Sequence, residues 1–343
     1  MKTRYFALIM GILLMGCSAP AAAIELAAPT ETATPLPPPE TPVKTTVTLA
    51  GVRGMKASGD SLWAWSENEI WRYKEGDWSF YAFVPGSSDH MAYLSDKLWA
   101  VENNRLLYFD GEQWQEISGP IMGAYSIKAD DDSGILWVST GENLYRWDVE
   151  QMSYIAHPRV PCCYLFELEV TGDGTVWAGG LYGYLPWVGG LARYDEASGT
   201  WEMVRPWRAE EDVTPQLLAS TPNGDLWVKL VDWSEDWEVL QEAGEPFVEW
   251  ALAYWDSASG EWTVFEQDLP EGYPFKMAVD DKGVWLAQGS GFVEQMEFNG
   301  LARFDGENWS HYLPGTNVFD VAVAPDGTIW YTTGDDDMLR QLR

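Results

Sequence analysis

Asp326-Gly327-Thr328-Ile329-Trp330 joins a turn dipeptide to a short β-rich run that ends on tryptophan. Asp-Gly suits a tight turn, and β-branched and aromatic residues suit a half-buried strand. The figure recurs along the chain, ending on Trp63, Trp99, Trp137, Trp177, Trp227, Trp285 and Trp330. Each copy is preceded by a strand-like run, as in Val318-Phe319-Asp320-Val321-Ala322-Val323. A third run places an aromatic residue just before an aspartate: Phe109-Asp110, Trp147-Asp148, Tyr194-Asp195, Trp255-Asp256, Phe304-Asp305. A fourth opens on Trp78, Trp114, Tyr154, Trp201, Trp262 or Trp309. Four short antiparallel strands per copy, in seven copies, predict an all-β, seven-bladed β-propeller over residues 45–343. The last copy has no fourth run, and Thr45-Thr46-Val47-Thr48-Leu49 is expected to complete that blade and close the ring.

Composition narrows the functions open to such a body. The chain has 53 acidic against 21 basic residues, a formal charge of −32. A field of that sign repels phosphate backbones and anionic headgroups, so nucleic acid is not an expected partner. The 21 tryptophans suit half-buried strand positions, where a large ring packs and its N–H faces a polar edge.

The N-terminus reads as an export signal. Lys2 and Arg4 precede an apolar run from Phe6 to Met15, too short to span a bilayer as a helix. Leu14-Met15-Gly16-Cys17 resembles the lipobox of bacterial lipoproteins. The resemblance implies a signal peptide over 1–16 and lipidation of Cys17, with the body anchored outside the cytoplasm at the outer membrane or cell surface. Residues 17–44, rich in Pro, Ala and Thr, lack the apolar periodicity of a core and read as a flexible tether.

The copies are unequal where function is expected. Inserts follow Trp177 (Leu181 to Val188), Trp227 (Val231 to Glu249) and Trp285 (Ser290 to Glu297), all between second and third strands. They should gather on one face, and binding residues concentrate on such loops. Tyr184, Trp187, Trp233, Trp237, Trp250 and Phe292 are the candidate ligand contacts, because aromatic faces stack on sugar rings and the nearby carboxylates accept hydrogen bonds from hydroxyls. The same mixture suits a cation or a basic peptide, and Trp233 and Trp237 at helical spacing could instead pack together as a lid. Along the inner strands, Lys276, Ala278, Asp320, Glu167 and Glu169 are expected to face the channel.

Other reactive residue types suggest little chemistry. Adjacent Cys162 and Cys163 are candidates for a disulfide outside the cytoplasm, the alternative being two reduced thiols. His90, His157 and His311 lack metal-ligand spacing, and Asp130-Asp131-Asp132 and Asp335-Asp336-Asp337 read as solvated turns. No nucleophile motif or phosphate loop occurs, and no cofactor or metal is expected.

Pro325-Asp326-Gly327-Thr328-Ile329-Trp330, with Leu191-Ala192-Arg193-Tyr194-Asp195 and Leu301-Ala302-Arg303-Phe304-Asp305, resembles the two-component-regulator propeller repeat. That resemblance covers nearly all of 45–343 and implies an extracytoplasmic sensor-type body, in a family implicated in glycan sensing. No kinase or DNA-binding segment accompanies it here, so the recognition module alone is expected to carry over. The expected activity is binding of a glycan or a protein on the insert face. A polysaccharide lyase or hydrolase and a structural assembly lipoprotein are the alternatives.

Overall fold

The computed structural model describes residues 49–85, 90–117, 124–131, 133–140, 143–161, 165–181, 189–207, 213–233, 248–270, 272–288, 300–334 and 338–342. The expected signal peptide, Cys17, the tether and the Cys162–Cys163 pair lie outside them. The described residues form seven antiparallel sheets and no helix. Blades 1 to 7 span residues 54–83, 90–116, 124–157, 165–204, 214–265, 276–312 and 318–342. Blades 1 to 6 have four strands in sequential order, and blade 7 has three among the described residues. The chain is a seven-bladed β-propeller.

The recurring phrases have local causes. In the turn before the tryptophan strand, the Asp326 carboxylate accepts the Thr328 amide at 3.0 Å, and Gly327 sits at φ 82°. Asp173 and Gly174 repeat this in blade 4, where the Thr175 amide donates at 3.0 Å and the glycine is at φ 81°. The glycine is required because a side chain is disfavoured in the left-handed region. In the turn after the third strand, the aspartate accepts two amides: Asp305 takes those of Glu307 and Asn308 at 3.0 and 2.7 Å. Asp110, Asp148, Asp195 and Asp256 do the same in blades 2 to 5.

The core is divided among the seven junctions between blades, and the tryptophans build it. Trp99 packs into blade 3 beside Trp147, Trp177 into blade 5 beside Trp255, and Trp227 into blade 6 beside Phe304. The aromatic residue before each third-strand aspartate is thus the one that receives the previous blade's tryptophan. The arginine of the Ala-Arg-aromatic-Asp phrase lies opposite its own tryptophan across the strands, as in Trp177 with Arg193 and Trp285 with Arg303. Those guanidinium carbons sit 5.9 and 5.4 Å from the ring centroids, within cation–π range.

The last junction closes the circle. Trp330 of blade 7 meets Tyr73 and Trp78 of blade 1, each at 5.2 Å between centroids. The Tyr73 hydroxyl donates to Asp326 at 2.9 Å, and the Met55 amide donates to the buried Asp320 carboxylate at 2.9 Å. First strands of successive blades touch all the way round, including Val318–Val323 against Gly54–Ser58. The strand expected to complete blade 7 lies mostly outside the described residues. At its described end, the Leu49 carbonyl accepts the Leu339 amide at 3.0 Å.

Tyr73→Phe removes one half-buried hydrogen bond at this seam and should cost about 1 kcal/mol. Trp330→Ala empties the wedge and should cost about 3–5 kcal/mol. Urea unfolding measures both; equal, negligible losses would contradict closure through this junction.

Candidate binding site at the channel mouth

Second-to-third-strand loops and blade-to-blade connections leave each sheet at the same end. The stems of the three inserts pair there: Leu181 with Gly189, Trp233 with Val248, and Gln288 with Gly300. The strands run further into the inserts than expected. Val231 to Trp233 and Val248 to Glu249 are paired ladder residues, so the middle insert narrows to 234–247. Leu181 likewise belongs to a strand. Tyr184, Trp187, Trp237 and Phe292 fall in the inserts, outside the described residues. Trp233 ends its strand opposite Val248, and Trp250 is half-buried against the cluster between blades 5 and 6.

Beneath the inserts, three inner strands are broken by bulges near this same face. The pairing skips Tyr125 in blade 3, Gln216 in blade 5 and Phe319 in blade 7. A bulge re-aims a side chain and is common beside binding sites. Phe319 is left 50% exposed. Gln216 accepts from Lys229 Nζ at 3.2 Å and from the Tyr273 hydroxyl. Lys229 is fully buried, donates to the Pro274 carbonyl at 2.7 Å, and stands 3.1 Å from the centroid of the Tyr273 ring. Desolvation holds its pKa well below the ordinary lysine range. It ties the strand bearing the longest insert to the connection between blades 5 and 6. No sequence motif marked Phe319, Gln216 or Lys229, because each depends on one extra residue in a strand.

Between blades 4 and 5 a shallow open cleft is lined by Gly189, Gly190, Met203, Arg205, Trp207 and Pro215. Gly189 directly follows the first insert. The Trp207 indole at its wall donates to Glu266 at 2.9 Å.

The channel itself is charged. Lys128 pairs with Glu169 at 2.6 Å, and Glu169 also accepts from Ser220 of blade 5. Lys56 of blade 1 reaches past blade 2 to the Ile127 carbonyl of blade 3, at 3.5 Å. Desolvation and then Lys128 hold Lys56 down at about 8, with Lys276 adding to the repulsion and Glu169 and Glu167 opposing it. Burial pushes Asp320 up to about 6 against the pull of Lys276 and of the Val321 and Met55 amides. Lys276, Glu167, Glu169 and Asp320, expected from strand alternation to line the channel, are thus each within electrostatic reach of another charged group, Lys56 and Lys128 among them, whereas Ala278, expected beside them, packs against the core between blades 6 and 7. Among the described residues no three His, Cys, Asp or Glu side chains gather as a metal site.

No family model matches the chain, and no curated protein matches it in sequence. Solved structures share its fold. A streptogramin B lyase is 15% identical with a TM-score of 0.58, over 87% of this chain and 95% of that one. The extracellular domain of the putative one component system BT4673 from B. thetaiotaomicron is 13% identical with a TM-score of 0.59, over 86% of this chain and 38% of that one. YCF48 bound to D1 peptide is 16% identical with a TM-score of 0.55, over 86% and 94%. At these identities the likeness is one of fold.

The lysine in the channel has a measurable cost. Between pH 8 and pH 10.5 the unfolded chain still holds the Lys56 proton that the folded chain has released, so folding gains stability as pH rises through that window. Below pH 8 the folded state bears the full cost of the charge. Lys56→Met should therefore be more stable than the parent at pH 7, by about 1–2 kcal/mol after solvent screening. The gap should shrink by pH 10.5; urea unfolding across that range reads it.

Proposed function

We propose that the chain is an extracytoplasmic recognition module, anchored by lipid at Cys17, that binds a glycan on the insert-bearing face. One observation carries the reading: at that face a bulge leaves Phe319 half exposed next to Asp320, at the strand level where blades 6 and 4 carry the charged Lys276 and Glu167. A flat ring for stacking next to carboxylates and ammoniums is the chemistry that holds a polyhydroxylated ring. Tyr184, Trp187, Trp233, Trp237 and Phe292 would add aromatic contacts from the inserts, and Trp250 from its strand. The extracellular BT4673 domain, similar in fold, supports the location, and Cys17 supports the anchor. The peptide-bound YCF48 propeller makes a protein ligand the competing outcome, and the lyase makes cleavage another.

A glycan array probed with the full-length chain in mild detergent should give binding to at least one saccharide. Phe319→Ala, Trp233→Ala and Trp187→Ala should each weaken it by about tenfold, in line with the loss of one stacking contact. Absence of binding to every sugar would sink the reading, and release of reducing ends from a bound glycan would turn it into an enzyme.

The anchor has its own test. Cells fed a labelled fatty acid should incorporate it into the parent chain and not into Cys17→Ser. Equal labelling of both would refute lipidation at this residue.

A further inference from the structure

Of the large apolar side chains left exposed among the described residues, only Phe319 lies on the first strand of a blade. Phe80, Phe83, Tyr154, Ile155 and Met203 lie on outer strands, and Met152 in a turn that leads into one. The Phe319 backbone is fixed from both sides. Val318 is fully buried in the core between blades 6 and 7, and the buried Asp320 carboxylate accepts the Met55 amide of blade 1 at 2.9 Å. Phe319 is the extra residue between them: Val318 pairs with Thr333 and Asp320 with Thr332, so the ladder passes it over. An open ring on an immobilised backbone loses little freedom when a ligand covers it.

The connection that delivers this residue from blade 6 is strained, and glycines make room for it. Leu313 sits at φ 57°, a left-handed backbone that a side chain disfavours, and its carbonyl accepts the Thr316 amide at 3.1 Å. A Cβ at Gly300 would stand 2.2 and 2.3 Å from the Tyr312 and Leu313 carbonyl oxygens, so this turn lies directly on the stem of the third insert. Gly334 is glycine for a different reason. It does not adopt the left-handed backbone, and its amide donates to the Asn317 carbonyl at 2.9 Å. A Cβ there would meet Asn317 Nδ2 at 2.5 Å and Phe319 Cδ2 at 3.1 Å. The two side chains therefore lie side by side against the Gly334 backbone, in space that any other residue would take. Strained backbone of this kind concentrates at ligand sites.

We propose that Phe319 and Asn317 form one saccharide subsite, the ring covering the C–H face of a sugar and the side-chain amide bonding a hydroxyl on its edge, with Gly334 as the positioning residue that holds the two together. This rests on the glycan reading above and names the subsite within that face. An aromatic face takes the apolar side of a pyranose, and an amide offers both a donor and an acceptor to a hydroxyl that is itself both. The position fits as well. The turn at Leu313 ties the subsite to the stem of the third insert, and Gly334 opens the loop between the second and third strands of blade 7. A protein partner asks for a wider apolar surface than one ring flanked by an amide and a buried carboxylate.

The test titrates the full-length chain in mild detergent with gluco-, manno-, galacto- and xylo-oligosaccharides, read by calorimetry. At least one should bind, and Phe319→Ala and Asn317→Ala should each weaken it by about tenfold. Ile155→Ala, on the outer strand of blade 3, should leave it unchanged. Gly334→Ala should weaken it to the same extent, and should add nothing further in a chain that already carries Asn317→Ala and Phe319→Ala. Urea unfolding gives a second readout without any sugar. Gly334→Ala should lower the midpoint of the parent and leave that of the doubly substituted chain unmoved, because the space is then vacant. Parent-like binding by Gly334→Ala, or equal midpoint losses in both backgrounds, would overturn the positioning role. Binding that Asn317→Ala leaves unchanged would overturn the shared subsite and leave the glycan reading standing. Binding of no saccharide, here or on the array, would overturn both.

Discussion

Every blade of this propeller has two apolar faces and too little thickness to bury either by itself. The packing of each tryptophan into the blade that follows is what resolves this. Trp63, Trp137, Trp177 and Trp330 sit so deep that their indole N–H groups find no hydrogen-bond partner among the described residues. That cost, about 1–3 kcal/mol for a buried unpaired donor, is tolerated because each ring fills a whole junction. An open row of such blades would leave one apolar face bare at each end. The contact of Trp330 with Tyr73 and Trp78 removes both bare faces at once.

Closure has an electrostatic consequence. The same ring that satisfies the apolar faces draws first strands from all seven blades around one axis, and charges far apart in the chain must then coexist. Some are well provided for: Glu169 by Lys128, Asp320 by two backbone amides. Lys56 is not, and its depressed pKa is the physical sign of it. Residues kept at a cost to stability are a recurring mark of binding sites. The bulges at Gln216 and Phe319 point the same way, since each breaks a regular ladder at the end of the channel where the inserts emerge. Lys229 then acts as a rigid footing, joining the longest insert's stem to the neighbouring blade.

Much of this was legible in the amino-acid order. Alternation of apolar and polar residues, turn dipeptides and the recurring tryptophan specify strands and blades through local sterics and through burial with a period of two. The aromatic-aspartate phrase marked a hairpin whose aspartate does cap the turn. Strand alternation also grouped Lys276, Glu167, Glu169 and Asp320, because a two-residue period needs no knowledge of neighbours, but it grouped Ala278 with them, and that residue packs into the core between blades 6 and 7. The insert boundaries were less legible: ladder pairing continues through Trp233 and resumes at Val248, since a β-ribbon can extend wherever two segments stay in register.

What the chain order alone determined was the blade: its four strands, its turns, its wedge tryptophan and the number of copies. What only the tertiary structure decided was which groups meet when the blades close. Met55 and Asp320 are 265 residues apart and Lys56 and Ile127 are 71 apart, and neither pair shares a local pattern. Their contacts depend on the angle between successive blades summed around the ring, and on single extra residues that shift a strand's register. Those are properties of packing among distant segments, so the charged channel and the exposed Phe319 emerge only once the circle is complete.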